Sequence, residues 1–148
     1  MTDTVDSTFA SGVGLSASVD VFHGLMVGIA PQAIFKGKVK AQPDGTETTF
    51  GSDKQIDLML RVAYAYTIPD VVTLYAELLP GYSTVSSDVT DTSKGLVLAY
   101  GIGAELDVAK RVFANLGIGY EMGFQRVSST SIYRHDYVRA AIGVGTRF

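Results

Sequence analysis

The chain of 148 residues has no cysteine and no tryptophan, and charged residues make up only 18% of it. Without cysteine, the chain can form neither a disulfide framework nor a thiolate metal site. The net charge of −3 gives no reason to expect a nucleic-acid partner. A long apolar run is also missing, although the mean hydropathy of +0.22 is high for a soluble domain, so a membrane-spanning helix is excluded. The composition indicates one domain, residues 1–148, whose apolar residues are dispersed along the chain.

The apolar residues are spaced two apart. Near the C-terminus they fall at Val138, Ala140, Ile142 and Val144, and the residues between them are arginine, alanine and glycine. A side-chain period of two predicts a β-strand. Seven segments show this period: Phe9–Val21, Leu25–Val39, Ile56–Ile68, Val72–Tyr82, Leu96–Leu106, Val112–Phe124 and Tyr137–Phe148.

Glycine indicates which face of each strand points inward. Most of the 16 glycines lie in the polar phase of a strand, and small residues on one face alone indicate crowding, as inside a narrow barrel. The apolar face would then contact lipid. A soluble, lipocalin-like binding barrel would need the opposite arrangement, and its glycine-rich outer surface would carry few charges. The pattern therefore favours an all-β fold, an antiparallel up-and-down transmembrane β-barrel, over the soluble alternative.

The connections between the strands alternate in length. Tight turns are predicted at residues 21–24, 69–71 and 108–111, whereas loops 40–54, 83–94 and 126–136 are long and rich in serine, threonine, aspartate and glycine. Short turns on one side and long loops on the other are typical of outer-membrane barrels, whose short side is periplasmic. Pro31 and Pro80 lie within strands, where a missing N–H predicts a bulge or a locally broken ladder.

Seven strands are visible, whereas bacterial single-chain barrels have an even number. The first and last visible strands run in the same direction, so they cannot pair as antiparallel neighbours. Three arrangements resolve the mismatch: a further strand before Met1, closure of seven strands by one parallel pair, or pairing between chains. We expect a further strand, because it makes both junctions antiparallel.

In these features the chain resembles the small eight-stranded outer-membrane barrels typified by outer membrane proteins A and X. Its most specific motif is the C-terminal Gly143-Val144-Gly145-Thr146-Arg147-Phe148. By this resemblance, Val144, Thr146 and Phe148 would form the signal that the barrel assembly machinery reads. The resemblance also implies eight strands, the outer membrane of a Gram-negative bacterium, and a barrel filled by side chains. It further implies a role as scaffold, adhesin or surface-protection protein, with no cofactor.

Charged residues in the inward phase form the best candidate site. The predicted lumen network consists of Arg61, Glu77, Glu105, Glu121 and Arg139, with Asp57 and Asp107 in the same phase and with Tyr75 and Gln32 nearby. Because an isolated charge in a narrow interior is costly, these groups should pair. Counted from the short turns, Arg61 and Glu77 lie at similar heights on neighbouring strands, as do Glu121 and Arg139. A static plug is favoured for so narrow a barrel; a gate in a narrow ion or small-solute channel is the alternative.

Aromatic residues in the outward phase lie toward both ends of the strands. Tyr66 and Phe148 lie at the short-turn end, and Tyr82 and Phe124 lie toward the long loops. This distribution predicts a girdle at the two lipid–water interfaces. Outer-membrane lipid is accordingly one expected partner, and a protein bound through the three long loops is another.

A lipid-modifying enzyme of the outer membrane is a weaker alternative. His135 follows a serine-rich loop, but adjacent His135 and Asp136 would point to opposite faces of an extended segment. They are therefore poorly placed to act as a catalytic pair. We therefore expect no catalysis. We also expect no metal site, because the two histidines of the chain, His23 and His135, lie at opposite ends of the strands and cannot bind one metal ion together.

Overall fold

The computed structural model describes residues 5–41, 47–87, 92–126 and 132–147. Its strands are β1 (Val5–Gly14), β2 (Ala17–Phe22), β3 (Leu25–Ala41), β4 (Glu47–Ile68), β5 (Val72–Ser87), β6 (Ser93–Ala109), β7 (Val112–Arg126) and β8 (Ile132–Thr146). They form one sheet in the order β1-β3-β4-β5-β6-β7-β8, with β2 also paired to β3, and every pair is antiparallel. The predicted all-β antiparallel fold is confirmed. No helix in these residues is long and apolar enough to cross a membrane.

β1 and β2 are two halves of one strand that is interrupted opposite Pro31. Both halves keep the same register on β3, with Gly14 opposite Gln32 and Ala17 opposite Ile29. Between them, the Leu15 N–H donates to the carbonyl of Pro31 at 3.0 Å, but Pro31 has no N–H to donate in return. The two halves fill one place in the sheet, so the described strands occupy seven places.

Pro80 coincides with a similar interruption between β4 and β5. The paired residues jump from Met59 opposite Gly81 to Val62 opposite Leu78, with no change of register. The locally broken ladder that the sequence predicts at each proline is therefore present at both. Because the register is kept, the prolines remove ladder pairing without turning any strand over to its other face.

The sheet curls until side chains of distant strands meet inside it. β3 and β8 are five strand spacings apart, which is about 24 Å along the sheet. Nevertheless, Arg139 Nη2 on β8 lies 3.2 Å from Gln32 Oε1 on β3. A flat sheet could not bring these atoms together, so the sheet wraps around a polar interior.

The inner and outer faces are those that the alternation predicts. The buried apolar residues Met59, Leu79 and Ala99 all lie in the inward phase. Most large apolar residues of the outward phase are exposed, from Leu58 on β4 to Ile142 on β8, which is 84% exposed. A continuous apolar surface of this size needs a non-aqueous neighbour, and it is what the wall of a membrane barrel presents to lipid.

Glycines on the inner face leave space for large inward side chains. The Tyr75 hydroxyl lies 3.0 Å from the position that a Cβ on Gly117 would take, and the Tyr75 ring would overlap a Cβ on Gly103. In the same way, the ring of Phe113 occupies the space beside Gly145, its directly opposed partner on β8. The crowding that the sequence predicts on this face is therefore caused in part by two aromatic rings.

The short connections are tight turns at one end of the sheet. His23 (φ 42°) and Gly24 (φ 92°) connect β2 to β3, and a positive φ at both residues is the type I′ geometry that suits a hairpin. Residues 69–71 and 110–111 form the turns of the next two hairpins at this end. All three turns agree with the predicted positions.

On the opposite side, the connections are shorter than predicted, because the strands continue into loops 40–54, 83–94 and 126–136. The strand ends that bound the corrected connections are Ala41 and Glu47, Ser87 and Ser93, and Arg126 and Ile132. Ladder hydrogen bonds join backbone groups and need no apolar side chain, so pairing continues where the apolar alternation ends. The segments 42–46, 88–91 and 127–131 lie outside the described residues.

A three-stranded extension stands on this long-loop side, formed by residues 5–11, 35–41 and 47–54. Its strands run roughly 15–20 Å beyond the level at which the described parts of β5, β6 and β7 end. The pairing of β1 along β3 makes this extension three strands wide rather than a single hairpin.

β8 and the strand formed by β1 and β2 are the two edges of the sheet. Among the described residues these edges do not pair with each other, so the structure does not close seven strands with a parallel pair. Both edge strands run from the long-loop side to the short-turn side. One antiparallel strand between them would pair with both, and its source, a segment before Met1 or another chain, stays a prediction.

Candidate functional site

One charged pair in the interior joins β4 to β5. Arg61 Nε lies 2.8 Å from Glu77 Oε2, and Arg61 Nη1 donates to Ser18 Oγ on β2 at 3.0 Å. The Arg61 guanidinium also lies 5.3 Å from the centre of the Tyr75 ring. Arg61 is only 7% exposed, so removing its partner would leave a nearly buried charge uncompensated. The structure therefore brings the first predicted pair together and adds Ser18 and Tyr75 to it.

A second cluster joins β3, β4 and β7. Gln32 Nε2 donates to Asp57 Oδ2 at 2.7 Å and to Glu121 Oε2 at 3.1 Å. Gln55 Nε2 donates to both oxygens of Asp57, at 2.9 and 2.8 Å, and to Glu121 Oε1 at 3.2 Å. Asp57 and Glu121 are each 0% exposed, and the two amide groups hold their carboxylates together. We call Gln32, Gln55, Asp57 and Glu121 the amide–carboxylate ring.

β8 contacts this ring from the far edge of the sheet. The Tyr137 hydroxyl donates a hydrogen bond to Glu121 Oε1, and Arg139 Nη1 lies 3.6 Å from Glu121 Oε2. Arg139 Nη2 donates to Gln32 Oε1 at 3.2 Å. Glu121 is thus contacted from β3, β4 and β8, and the second predicted pair, Glu121 with Arg139, lies inside the network.

The amide–carboxylate ring holds more acidic groups than its cationic neighbours can match. Among the described residues, Arg139 is the one cation that contacts the ring, and Asp57 has no cationic partner. Nearby buried groups also lack hydrogen-bond partners in the described part of the chain: Gln55 Oε1, Ser83 Oγ and both amide atoms of Gln125. Ser83 is directly opposite Asp57 on the neighbouring strand. Because unsatisfied buried polar groups are costly, we expect water to bridge them inside the barrel.

The structure does not bring Glu105 into this network. Glu105 pairs instead with Arg147 at the short-turn end, where Arg147 Nη2 lies 2.7 Å from Glu105 Oε2 and Arg147 Nη1 contacts Asp107. Arg147 reaches β6 from the end of β8 by passing over the Phe113 ring, 4.6 Å from its centre. Burial lowers the pKa of Arg147, but its hydrogen bonds to Asp107 and Glu105 outweigh burial and leave the pKa above its ordinary value.

A small hollow lies between the two ion pairs of the interior. Its lining includes Tyr75, Glu77 and Arg139, with glycines of β6 and β7 on one wall. In the described residues, no group of three or more His, Cys, Asp or Glu side chains could hold a metal ion. The chemistry that the interior offers is therefore hydrogen bonding and ion pairing between strands that are not neighbours in the sheet.

The girdle residues that the structure describes are exposed on the outer face; they are Tyr66, Tyr82 and Phe124. Tyr66 lies near the turn between β4 and β5. Tyr82 and Phe124 lie at one level near the long-loop end, with Leu96 between them. These positions are the two ends at which interfacial aromatics are expected, and their role in lipid contact stays a prediction.

The remaining predicted residues lie on β8 or beyond it. Val144 and Thr146 have exposed side chains near the end of β8, and Phe148 lies outside the described residues, so the assembly signal stays a prediction. His135 and Asp136 are both within β8. The side chain of His135 lies outside the described part of the structure.

Several interior contacts come from residues that the sequence reasoning did not assign to the site. They are Ser18, Gln55, Tyr137 and Arg147. Each lies at an inward-facing position of its strand or extends that alternation beyond the predicted strand. This alternation is the signal in the sequence that indicates an interior position. The alternation along a strand indicates that a residue faces the interior. It does not indicate which interior residues touch, because contacts across the barrel depend on how tightly the sheet curls.

The whole chain has the pattern of a known family. The family described as outer membrane protein beta-barrel domain matches residues 2–148. No curated protein and no solved structure matches the sequence. The family match agrees with a curled antiparallel sheet that is apolar outside and polar inside. The chain therefore belongs to the outer membrane protein beta-barrel domain family and is an integral protein of the Gram-negative outer membrane.

Proposed function

We propose that this barrel is a non-catalytic structural protein with a plugged interior and a surface role on its long-loop side. The observation that supports the plug is the amide–carboxylate ring together with Arg139, which spans the interior from β8 to β3. The long-loop side is the external side in barrels of this class, so the three-stranded extension is the part available for contacts at the cell surface.

Side chains that cross the interior oppose the passage of solutes. Gln32 and Gln55 reach Glu121 from β3 and β4, and Tyr137 and Arg139 reach it from β8. A solute passing at this level would have to separate these groups and leave buried carboxylates without their donors, which is unfavourable. An interior stabilised in this way suits a scaffold better than an open channel.

A narrow ion channel is the second candidate, and the hollow lined by Glu77 and Arg139 favours it. Planar-bilayer recordings separate the two functions. We expect no stable conductance from the folded wild-type protein, and brief openings from the double variant Gln32→Ala/Gln55→Ala, in which the bridging amides are gone. Stable wild-type conductance that changes ion selectivity in Glu77→Gln would instead support the channel.

The surface role is tested by shortening the three-stranded extension. Residues 38–51 are replaced by Asn-Gly, which closes a two-residue hairpin, and the control shortens the connection between β5 and β6 by replacing residues 88–92 with Asn-Gly. We expect attachment of expressing cells to epithelial and abiotic surfaces to fall in the first variant and not in the control. Equal attachment at equal amounts of folded barrel would contradict the surface role.

The absence of catalysis is tested on phospholipid vesicles that contain the folded protein. We expect fatty-acid release no greater than from vesicles alone. Release by the wild-type protein that is lost in His135→Ala would support the lipid-modifying alternative and end the proposal of a purely structural barrel. The folded state of each sample is checked by its heat-modifiable mobility on a gel.

A further inference from the structure

On the strand positions with described side chains, charges on the outer face are confined to one end and are mostly basic. Among strand residues whose side chains the structure describes, the outward-facing charged residues are Lys54, Lys94, Arg126, Arg134 and Asp136. All five lie at the long-loop end of their strands. We call the four basic residues the basic rim.

Two members of the basic rim are placed directly against each other. Lys94 on β6 and Arg126 on β7 are opposed partners in the antiparallel ladder, an arrangement in which like charges are destabilising. Arg134 on β8 is the diagonal neighbour of Arg126, but it is paired with Asp136, with Nε 2.9 Å from Oδ1 and Nη2 2.8 Å from Oδ2. Lys94 and Arg126 have no acidic partner among the described residues. Their repulsion is therefore uncompensated by the protein groups that the structure places there.

The level of this pair relative to the bilayer identifies the available anion. Below it on β6, outward apolar residues run from Leu96 to Leu106, which at about 3.3 Å per residue and a tilt of about 40° spans roughly 25 Å. This span is the height of the apolar band of a membrane barrel. Lys94 and Arg126 lie just above it, at the level of the lipid headgroups. Phosphate of a lipid headgroup is the anion that occupies this level in the external leaflet.

We propose that Lys94 and Arg126 bind a phosphate group of an anionic lipid in the external leaflet. The arginine fork can contact two phosphate oxygens and the lysine ammonium supplies a point charge. Arg134 stands beside the site, 5.8 Å from the centre of the Phe124 ring, so its charge and an apolar surface for acyl chains are adjacent. The lipid would replace an unfavourable cross-strand repulsion by two favourable contacts.

The site is tested in phosphatidylcholine nanodiscs that contain a small fraction of lipid A, a glycolipid with two phosphates, or its dephosphorylated form. Native mass spectrometry measures the lipid retained by the released protein. We expect Lys94→Gln/Arg126→Gln to lower the apparent affinity for the phosphorylated lipid by about tenfold or more. The matched control, Lys110→Gln/Arg111→Gln, removes two basic residues at the short-turn end and should retain lipid as the wild type does. Equal retention by the Lys94/Arg126 variant and the control would overturn the proposal.

Two further measurements test whether this pair of residues binds the lipid and whether the bound anion is a lipid headgroup. Lys94→Glu places an acidic residue opposite Arg126, so it should fold at least as stably as the wild type and still lose the phosphorylated lipid. Retention of that lipid by folded Lys94→Glu would exclude a role for the pair. Inorganic phosphate in solution should not displace the lipid; displacement at equal phosphate concentration would show a general anion site and overturn the assignment to a lipid headgroup.

Discussion

The ring of Phe113 on β7 occupies the space that a side chain on Gly145 of β8 would need. The same ring lies 4.6 Å from the guanidinium of Arg147. Glycine therefore admits the ring, and the ring supports the arginine that pairs with Glu105 and Asp107 at the short-turn end. Arg147 thus contacts Phe113, Glu105 and Asp107, all distant from it in sequence, and these contacts depend on the absence of a side chain at Gly145.

The variant Gly145→Ala tests this dependence. A Cβ at this position would lie 2.7 Å from Phe113 Cε2, so the ring must move, and we expect the free energy of unfolding to fall by about 1–3 kcal/mol. Guanidinium titration in lipid vesicles, followed by gel mobility, measures it. Phe113→Leu in the same chain should restore part of the loss, and Phe113→Leu alone is the control. Additive effects of the two substitutions would count against the contact.

Glu121→Ala should be among the most destabilising substitutions in the interior. It removes the acceptor of Gln32, Gln55 and Tyr137 and leaves Arg139 without its carboxylate. We expect a loss of about 3–5 kcal/mol in the free energy of unfolding. Glu121→Gln keeps the shape and one oxygen acceptor and should lose less. A Glu121→Ala barrel as stable as the wild type would mean that the ring is not formed in the membrane.

The position of the lipid-facing band on the barrel is tested by placing arginine at two levels of the outer face. Ile102 lies midway along β6, and Ile132 lies at the level of Lys94 and Arg126. Ile102→Arg should cost about 2–4 kcal/mol of folding free energy in vesicles and Ile132→Arg about 0–1 kcal/mol. Both side chains are exposed to the surroundings of the barrel, so a similar cost at both positions would contradict the assignment of the lipid-facing band.

The aromatic girdle is tested by exchanging side chains at one level. Tyr82 and Leu96 are opposed partners near the long-loop end. Tyr82→Leu removes the polar tip that favours the interface, so folding in vesicles should be less stable, whereas Leu96→Tyr should be tolerated. Tyr82→Ala should cost about 1–3 kcal/mol because apolar surface is lost as well. If Tyr82→Leu matched the wild type in vesicles, the residue would be acting as ordinary strand surface.

The proposed assembly signal makes a prediction about rate rather than stability. Phe148→Ala should slow insertion of newly made protein into the outer membrane of cells, and leave the extent of refolding into pure lipid vesicles unchanged. Ile142→Ala, at an exposed apolar position of β8, is the control and should insert at the wild-type rate. Slowing of equal size in both variants would assign the effect to lost apolar surface.

Much of the fold can be predicted from the sequence because a side-chain period of two is a local property. Ile56, Leu58 and Leu60 alternate with inward residues along one strand, so the strand and its outward face follow directly. The full length of β4 does not, since the sequence from Glu47 to Asp53 lacks the apolar alternation although the backbone pairing with β3 continues there. The extension on the long-loop side was missed for this reason.

The interior site can be predicted only in part. Arg61 and Glu77 sit on adjacent strands, so counting residues from the turn places them near each other. Gln55 and Glu121 sit on β4 and β7, and their contact requires the sheet to curl by a particular amount. Curl depends on packing across the whole interior, so no local pattern predicts this contact.

The glycines of β6 and β7 have a consequence for the shape of the barrel. Gly101 is directly opposed to Gly119, and Gly103 to Gly117, in the ladder between these strands. A Cβ on Gly101 would lie 2.7 Å from the carbonyl oxygen of Ile118, so the backbones approach closely where both side chains are missing, and glycine in a strand permits a tight bend. The two pairs therefore form a strip of the wall without inward side chains of its own, and the Tyr75 side chain of β5 lies beside this strip. Bore shape can then change through substitution at a few glycines while the strand number stays constant.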